Sequence, residues 1–217
     1  MQFTPPYSAF NRDITQYSNQ YKNPEYHKWR FNAEWYVPIG KPIGAEKHQL
    51  VMKLAAKYGF MGRYNTSLPY SPFERFQLGD AGLTNNFGLL GYDIVAQRGY
   101  PVYQTSDPSV NPDQQSASQF FTIFNKYQAE LRFPLVTNNS STIYGLTFFE
   151  AANGWYDYKN YNPFRLRRSV GAGMRFFLPM FGLLGFDYGV GLDRFQPGQS
   201  GLKGVSRFTF MLGFEPE

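Results

Sequence analysis

Apolar and polar residues alternate with a period of two over most of the chain, which is the pattern of β-strands that have one apolar face. From Lys28 onward, the apolar set is Trp29, Phe31, Ala33, Trp35 and Val37, and the polar set is Arg30, Asn32, Glu34 and Tyr36. The same alternation predicts further strands at residues 50–60, 126–135, 142–154, 165–178, 184–192 and 208–214. The pattern therefore predicts an all-β protein with about seven antiparallel strands.

The segments between the predicted strands differ in length in a regular way. They are short at residues 136–141 and 179–182, and long at residues 61–123, 155–164 and 194–205. Short turns on one side and long loops on the other are typical of outer-membrane β-barrels. A soluble β-sandwich alternates in the same way but has no reason to show this asymmetry. Residues 27–217 are therefore predicted to form part of an antiparallel transmembrane β-barrel.

Two further segments lack a clean strand pattern. Residues 1–26 are rich in Asn, Gln, Tyr and Pro and are predicted to be a loop or a frayed strand, while residues 38–46 are predicted to be a turn. Residues 61–123 hold many Gly, Pro, Asn, Ser and Gln residues. Because loops of that length are rare in compact domains and are usually functional, we expect this segment to carry function.

The composition agrees with a membrane barrel. Of the 217 residues, 19% are aromatic and only 17% are charged, whereas soluble domains carry about 25% charged residues. No run of 18 or more apolar residues is present that could form a transmembrane helix. Membrane β-strands are apolar only at alternate residues, so such a composition suits them.

Seven strands are an odd number, whereas bacterial barrels normally have an even number. The first residues also have neither the basic nor the apolar region of a signal peptide. We therefore expect the chain to be one piece of a larger barrel, with further barrel strands absent. The remaining strands would come from the rest of the same polypeptide or from another chain.

Several classes of function are not indicated by the sequence. The net charge is +5, but the Lys and Arg residues are scattered, so no nucleic-acid partner is expected. There is no cysteine, the two histidines are His27 and His48, and no acidic or histidine cluster has metal-ligand spacing. Gly198-Gln199-Ser200-Gly201 is not a nucleophile elbow, because Leu202 follows where a second glycine is required. We expect no catalytic residues, no metal and no cofactor.

Two motifs carry a resemblance to a known family. The long loop contains Gln97-Arg98-Gly99-Tyr100, and a later strand contains Phe148 and Glu150 and ends at Trp155. Together they resemble the C-terminal barrel region of Omp85-family proteins of the BamA type, and the resemblance implies that N-terminal barrel strands and periplasmic domains are absent here. The resemblance implies that the loop is extracellular and folds into the barrel lumen. There Arg98 would meet the acidic residue Glu150, with Phe148 on the same face.

The resemblance also implies roles for the neighbouring residues. Gly99 would allow a tight turn at the loop tip, and Tyr100 would pack against the inner wall. The family usually has Asp at the acidic position, so Glu150 is a departure that changes the reach of the side chain. From the residues alone, Arg98 would be interpreted as an ordinary loop arginine in water and Glu150 as one more lumen charge.

The last predicted strand resembles the C-terminal signal strand of the same family. The residues that carry this resemblance are Phe208, Phe210, Leu212, Gly213 and Phe214. In the family this strand forms a weak seam with the first barrel strand, and a glycine near its end allows it to kink. Gly213 matches that position, although it could also be simply a small residue that faces the lumen. The chain ends in Glu215-Pro216-Glu217, whereas the family commonly ends on an aromatic residue.

The resemblance implies a non-enzymatic factor in the outer membrane of a Gram-negative bacterium that folds and inserts β-barrel proteins through a lateral seam. Its expected partners are outer-membrane lipids, unfolded β-barrel clients, accessory periplasmic or lipoprotein subunits, and the remainder of its own barrel. One alternative is a translocation pore of the two-partner secretion type. Another is a structural barrel that anchors a larger enzyme.

Overall fold

The structure is a computed structural model, which describes residues 1–10, 24–43, 48–80, 93–101, 120–138, 141–178, 182–195 and 201–213. Ten strands and one short helix form its regular elements, apart from two single turns of 3₁₀ helix. The elements are β1 (Gln2–Phe3), α1 (Tyr7–Phe10), β2 (His27–Ile43), β3 (His48–Gly62), β4 (Phe76–Leu78), β5 (Asp93–Val95), β6 (Ile123–Asn138), β7 (Ser141–Trp155), β8 (Arg167–Leu178), β9 (Gly182–Gly191) and β10 (Ser206–Gly213). Among the described residues, no helix has the length and apolar character needed to cross a membrane.

Eight of the strands form one antiparallel sheet in the order β1-β2-β3-β6-β7-β8-β9-β10. Within the described residues this sheet does not close on itself, because β10 pairs only with β9 and β2 pairs beyond β3 only with the two residues of β1. The prediction of an all-β, antiparallel fold is confirmed, and the open sheet is consistent with a partial barrel.

The two faces of the sheet are inverted relative to those of a soluble protein. One face, here named the loop-covered face because the loop between β3 and β6 lies on it, carries buried charged side chains. Among these are Lys57, Lys126, Glu130, Glu150, Arg175 and Asp187. The opposite outer face exposes large apolar side chains, among them Phe31, Trp35, Phe149, Tyr188, Phe208 and Leu212. An apolar exterior around a polar interior is the arrangement expected of a membrane barrel.

The register of the sheet places functional positions in one row across four strands. Glu130 of β6 lies opposite Phe148 of β7, which lies opposite Gly171 of β8, which in turn lies opposite Gly189 of β9. A Cβ added at Gly171 would lie 2.4 Å from the ring of Phe148, so this glycine makes room for the ring. The row thus runs from two large side chains, Glu130 and Phe148, to two glycines.

The long loop between β3 and β6 contains a small sheet of its own, which the sequence did not predict. Strands β4 and β5 pair in parallel, with Phe76 opposite Asp93 and Leu78 opposite Val95. Their apolar side chains pack with residues of β3, β6 and β7 in one buried cluster. The cluster consists of Met61, Phe76, Leu78, Val95, Phe121, Phe124 and Ala152. This packing holds β4 and β5, the two strands of the loop, against the large sheet.

Two predicted turn boundaries were wrong. The turn predicted at residues 38–46 does not begin at Pro38, because β2 continues to Ile43 through an irregularity after Ile39, and residues 44–47 lie outside the described residues. Proline is tolerated in an edge strand, and Gly40 takes the left-handed backbone conformation (φ 73°) at the irregularity. The polar segment 136–141 also belongs mostly to strands, since β6 runs to Asn138 and β7 begins at Ser141.

Candidate functional site

The loop tip, defined as residues 97–100, is held in place by the backbone of the small parallel sheet. The Gly79 N–H donates to the carbonyl of Val95 at 3.1 Å, and the Gln97 N–H donates to the carbonyl of Gly79 at 3.3 Å. The Asp80 N–H then donates to the carbonyl of Tyr100 at 2.7 Å. The tip therefore closes as a short turn whose two sides are linked to β4 and β5.

Arg98 points from the loop tip into the middle of the loop-covered face and contacts three carboxylates. Its Nε donates to Glu150 Oε1 at 2.9 Å, and its backbone N–H donates to Glu150 Oε2 at the same distance. Its Nη2 donates to Glu130 Oε2 at 2.9 Å, and its Nη1 lies 3.5 Å from Asp187 Oδ2. One side chain is therefore bound to β6, β7 and β9 at once.

The aromatic ring of Phe148 forms the floor beneath this guanidinium. The Cζ atom of Arg98 lies 3.6 Å from the centre of the ring. A planar guanidinium stacks on an aromatic face while its edges still donate hydrogen bonds to carboxylates. The structure thus brings together Arg98, Phe148 and Glu150, the residues that the motif resemblance singled out.

Further cations balance the three carboxylates. Lys126 Nζ lies 3.4 Å from Glu150 Oε1, Arg132 Nε lies 2.7 Å from Glu130 Oε1, and Arg175 donates to both oxygens of Asp187 at 2.8 and 2.9 Å. The seven side chains form what we name the ion cluster: Arg98, Lys126, Glu130, Arg132, Glu150, Arg175 and Asp187. Buried charges persist only when they are paired and hydrogen-bonded, as they are here.

The electrostatics fix the charge of Arg98. Burial alone lowers the pKa of its guanidinium, but the carboxylates of Glu150, Glu130 and Asp187 outweigh that effect and raise the pKa above its ordinary value. The side chain is therefore a permanent cation within the ion cluster. Its chemistry is that of a mechanical tie between the loop and the sheet.

Gly99 allows the loop-tip backbone to touch the backbone of β9. Its φ is +86°, a conformation that side-chain-bearing residues rarely adopt. A Cβ at Gly99 would lie 3.1 Å from backbone atoms of Gly189, Val190 and Gly191, and a Cβ at Gly189 would lie 2.7 Å from the Gly99 nitrogen. The glycines of β9 on this face therefore make room for the loop tip.

Tyr100 completes the docking against β8 and the turn after β9. It is fully buried, and its hydroxyl donates to the carbonyl of Arg168 at 3.0 Å and accepts from the Asp193 N–H at 3.3 Å. Arg194 Nη1 donates to the carbonyl of Gly99 at 3.0 Å, and Gln97 Nε2 donates to the carbonyl of Arg167 at 2.8 Å. The loop tip therefore contacts each of the four strands β6 to β9.

The predicted residues of the last strand do not join the ion cluster. Phe208 and Leu212 are exposed on the outer face, and the ring of Phe210 lies 5.1 Å from that of Phe186 on β9. Gly213 is the last residue of β10 and lies opposite Leu183. Phe214 lies outside the described residues.

The motif missed several members of the ion cluster. Glu130, Lys126, Arg175 and Asp187 all lie on the polar side of the period-two pattern, so their common face was predictable. Their partners were not, because the pairing depends on strand register and on where the loop tip lands. The sequence feature that could have identified them is the presence of charged residues in the middle of strands, because a buried charge requires a partner.

Replacing Arg98 by methionine should lower the free energy of unfolding by about 3–5 kcal/mol, because the carboxylates around it would lose their shared cation while staying buried. The matched control is Arg168→Met. Arg168 forms an exposed pair with Asp193 at 2.6 Å, so its loss should cost no more than about 1 kcal/mol. Unfolding of the full-length protein by titration with guanidinium chloride in lipid vesicles measures the free energy of unfolding of both variants. Equal losses of stability in Arg98→Met and Arg168→Met would contradict a buried cluster.

The charge-swapped double variant (Arg98→Glu with Glu150→Arg) separates the cluster from a simple pair. A simple pair would regain stability on reversal. Here a carboxylate at position 98 would face Glu130 and Asp187, and a guanidinium at position 150 would face Lys126. The double variant should therefore remain at least as unstable as Arg98→Met in the same titration.

Replacing Gly189 by alanine should loosen the loop tip, because the new methyl group would overlap the backbone of Gly99. Overpacking of this kind costs about 1–3 kcal/mol. In Gly145→Ala, the control, the added methyl would meet the Phe133 side chain at 2.8 Å rather than a backbone, so a smaller loss is expected. Faster proteolysis of the loop in Gly189→Ala than in Gly145→Ala checks the prediction, and equal rates would contradict it.

Comparison with known protein families supports the same interpretation. The sequence matches the Omp85 superfamily domain from residue 7 to residue 215. No curated protein matched the chain in a separate sequence comparison. Because the family match spans nearly all of the chain, the protein belongs to the Omp85 superfamily, outer-membrane proteins whose members assemble β-barrels or translocate polypeptides.

Proposed function

We propose that this chain supplies the seam side of an assembly factor in the bacterial outer membrane. The factor folds and inserts β-barrel clients without enzymatic chemistry. Membership of the Omp85 superfamily supports the general class. The observation that supports assembly in particular is the contrast between a braced block of strands and a last strand with an open edge.

The braced block consists of β6 to β9. Arg98 binds Glu130, Glu150 and Asp187 on three of these strands, and Tyr100 binds the fourth through the carbonyl of Arg168. Ties that cross several strands resist shear between them, because moving one strand breaks buried ionic hydrogen bonds. The block can therefore keep its shape while a neighbouring strand moves.

Among the described residues, one of the two open edges of the sheet belongs to β10, and the other belongs to β2 beyond its two-residue pairing with β1. Within the described residues, β10 pairs on one side only, with β9. The unpaired N–H and C=O groups of such an edge are a template on which another strand can form. In lipid, each unsatisfied backbone group costs several kcal/mol, so an incoming client strand is strongly favoured to pair. Client hydrogen bonding and burial in lipid then supply the free energy, and no nucleotide is needed.

The proposed partners follow from the surfaces. The outer face, with Phe31, Trp35 and Phe208 exposed, suits outer-membrane lipids. The edge of β10 suits either a client strand or a strand from the remainder of the barrel. Accessory periplasmic or lipoprotein subunits remain part of the proposal by analogy with assembly members of the superfamily.

A translocation pore is the second candidate, because the superfamily includes translocators and the loop-covered face is polar. In that case a polypeptide would cross along the ion cluster, and the loop tip would have to leave it. The buried contacts of Arg98 and Tyr100 oppose this movement, so assembly at the seam is the preferred function.

Replacing Gly213 by valine should slow client insertion, because a glycine near the end of β10 favours local fraying and kinking. A glycine in a strand lowers the stability of that strand by about 0.5–1 kcal/mol, so removing this glycine should lower the insertion rate about two- to fivefold. The control is Leu212→Val, which changes an exposed neighbour on the same strand. The assay presents unfolded β-barrel client to the full-length protein in vesicles and scores heat-modifiable client in the membrane.

The location of the client in this assay decides between the two candidates. Folded client in the vesicle membrane supports the proposed assembly function. Client that instead accumulates, protected from protease, on the far side of the membrane would establish translocation and overturn assembly. An unchanged insertion rate in Gly213→Val would remove the kink from the mechanism.

A further inference from the structure

A second buried contact of the long loop reaches the last strand. The carboxylate of Asp80 accepts a hydrogen bond from the hydroxyl of Thr209 on β10, and both residues are about 95% buried, with 5% of each exposed. The Nε atom of Arg207, also on β10, lies 3.8 Å from the same carboxylate. The loop therefore reaches β10 through side chains of the loop-covered face as well as bracing β6 to β9.

Asp80 is rigidly connected to the loop tip. Its backbone N–H donates to the carbonyl of Tyr100 at 2.7 Å, and it forms a parallel bridge with Pro101. Thr209 in turn lies opposite Asp187, the member of the ion cluster on β9. The contact between Asp80 and Thr209 is thus the point at which the braced block meets the strand with the open edge.

The loop also ties the other end of the sheet, and that tie is stronger. Lys28 on β2 is buried, and its Nζ lies 3.0 Å from Glu74 Oε2 and 2.5 Å from Asp93 Oδ2. The same Nζ lies 4.9 Å from the ring centre of Phe76. Lys28 contacts two carboxylates at 3.0 Å or less, whereas Asp80 contacts a neutral hydroxyl and a partly exposed guanidinium 3.8 Å away, so the tie at Lys28 is the stronger.

We infer that Asp80 is a latch residue: its contact with Thr209 holds β10 against the loop, and β10 separates from the sheet only when this contact opens. Because the tie at Lys28 is the stronger of the two, strain across the sheet releases β10 before β2. The inference rests on the proposed function only for the purpose of the release, since a client strand needs β10 to move.

Hydrogen exchange of the β10 amides in the full-length protein in lipid nanodiscs, with no client present, tests the latch. Thr209→Val keeps the shape of the side chain but removes the donor, and it should raise exchange in residues 206–213 about tenfold, the factor expected for a hydrogen bond to a charged group. Thr209→Ser restores the hydroxyl and should exchange as the parent does. Asp80→Asn keeps an acceptor without the charge and should give a smaller increase.

Two references keep the result interpretable. Thr147→Val makes the same substitution at an exposed position of β7 and should leave β10 unchanged. Exchange in residues 141–155 reports whether each variant is folded. Equal exchange in Thr209→Val and Thr147→Val, or equally fast exchange in Thr209→Ser and Thr209→Val, would overturn the latch.

The two proposals fail separately. Because no client is present, the exchange experiment depends only on Asp80 and Thr209. If Thr209→Val loosens β10 but the parent protein inserts no client, the latch stands and the proposed function falls. If clients insert but β10 exchange is insensitive to Thr209, the function stands and the latch falls.

Discussion

The guanidinium of Arg98 lies between carboxylates of three strands, Glu130, Glu150 and Asp187, and the position of the loop tip depends on these contacts. A charge buried this deeply is stable only with partners, and its partners are equally dependent on it. The sheet and the loop therefore stabilise each other. Without the loop, each of the three carboxylates would lose one of its two cationic partners, and without the sheet, Arg98 would be a solvated surface residue.

Shape complementarity allows this electrostatic contact to form. The backbone of Gly99 can approach Gly189 because neither residue has a side chain, and Gly171 leaves space for the Phe148 ring beneath Arg98. Charge and packing thus select the same loop position. The result is a braced block of strands beside β10, whose far edge is unpaired within the described residues and whose near face is tied to the loop through Asp80. If β10 is released as inferred, rigid and movable parts are adjacent, which is the arrangement that the proposed insertion at a seam requires.

The sequence predicted the strands well because a period-two pattern directly reports which face is apolar, and all seven predicted strands appear. Boundaries at Pro38 and Asn138 were wrong, because proline and polar residues suit a strand edge or end as well as a turn. The contact between Arg98 and Glu150 came from a motif resemblance, not from the pattern. Glu130, Asp187 and Thr209 had no local signal, since their roles depend on register between strands far apart in sequence. Strands β4 and β5 were too short to show periodicity.

The most direct test of the loop position is a distance measurement between Arg98 and Glu150 in the full-length protein in lipid bilayers. Solid-state NMR can detect the dipolar coupling between the ¹⁵N-labelled Arg98 side chain and the ¹³C-labelled Glu150 carboxylate. A separation of 2.9 Å between Nε and Oε1 predicts a strong coupling and a rigid guanidinium signal. An Arg98 signal averaged by motion, with no coupling to Glu150, would contradict the account of the loop as a buried ionic tie.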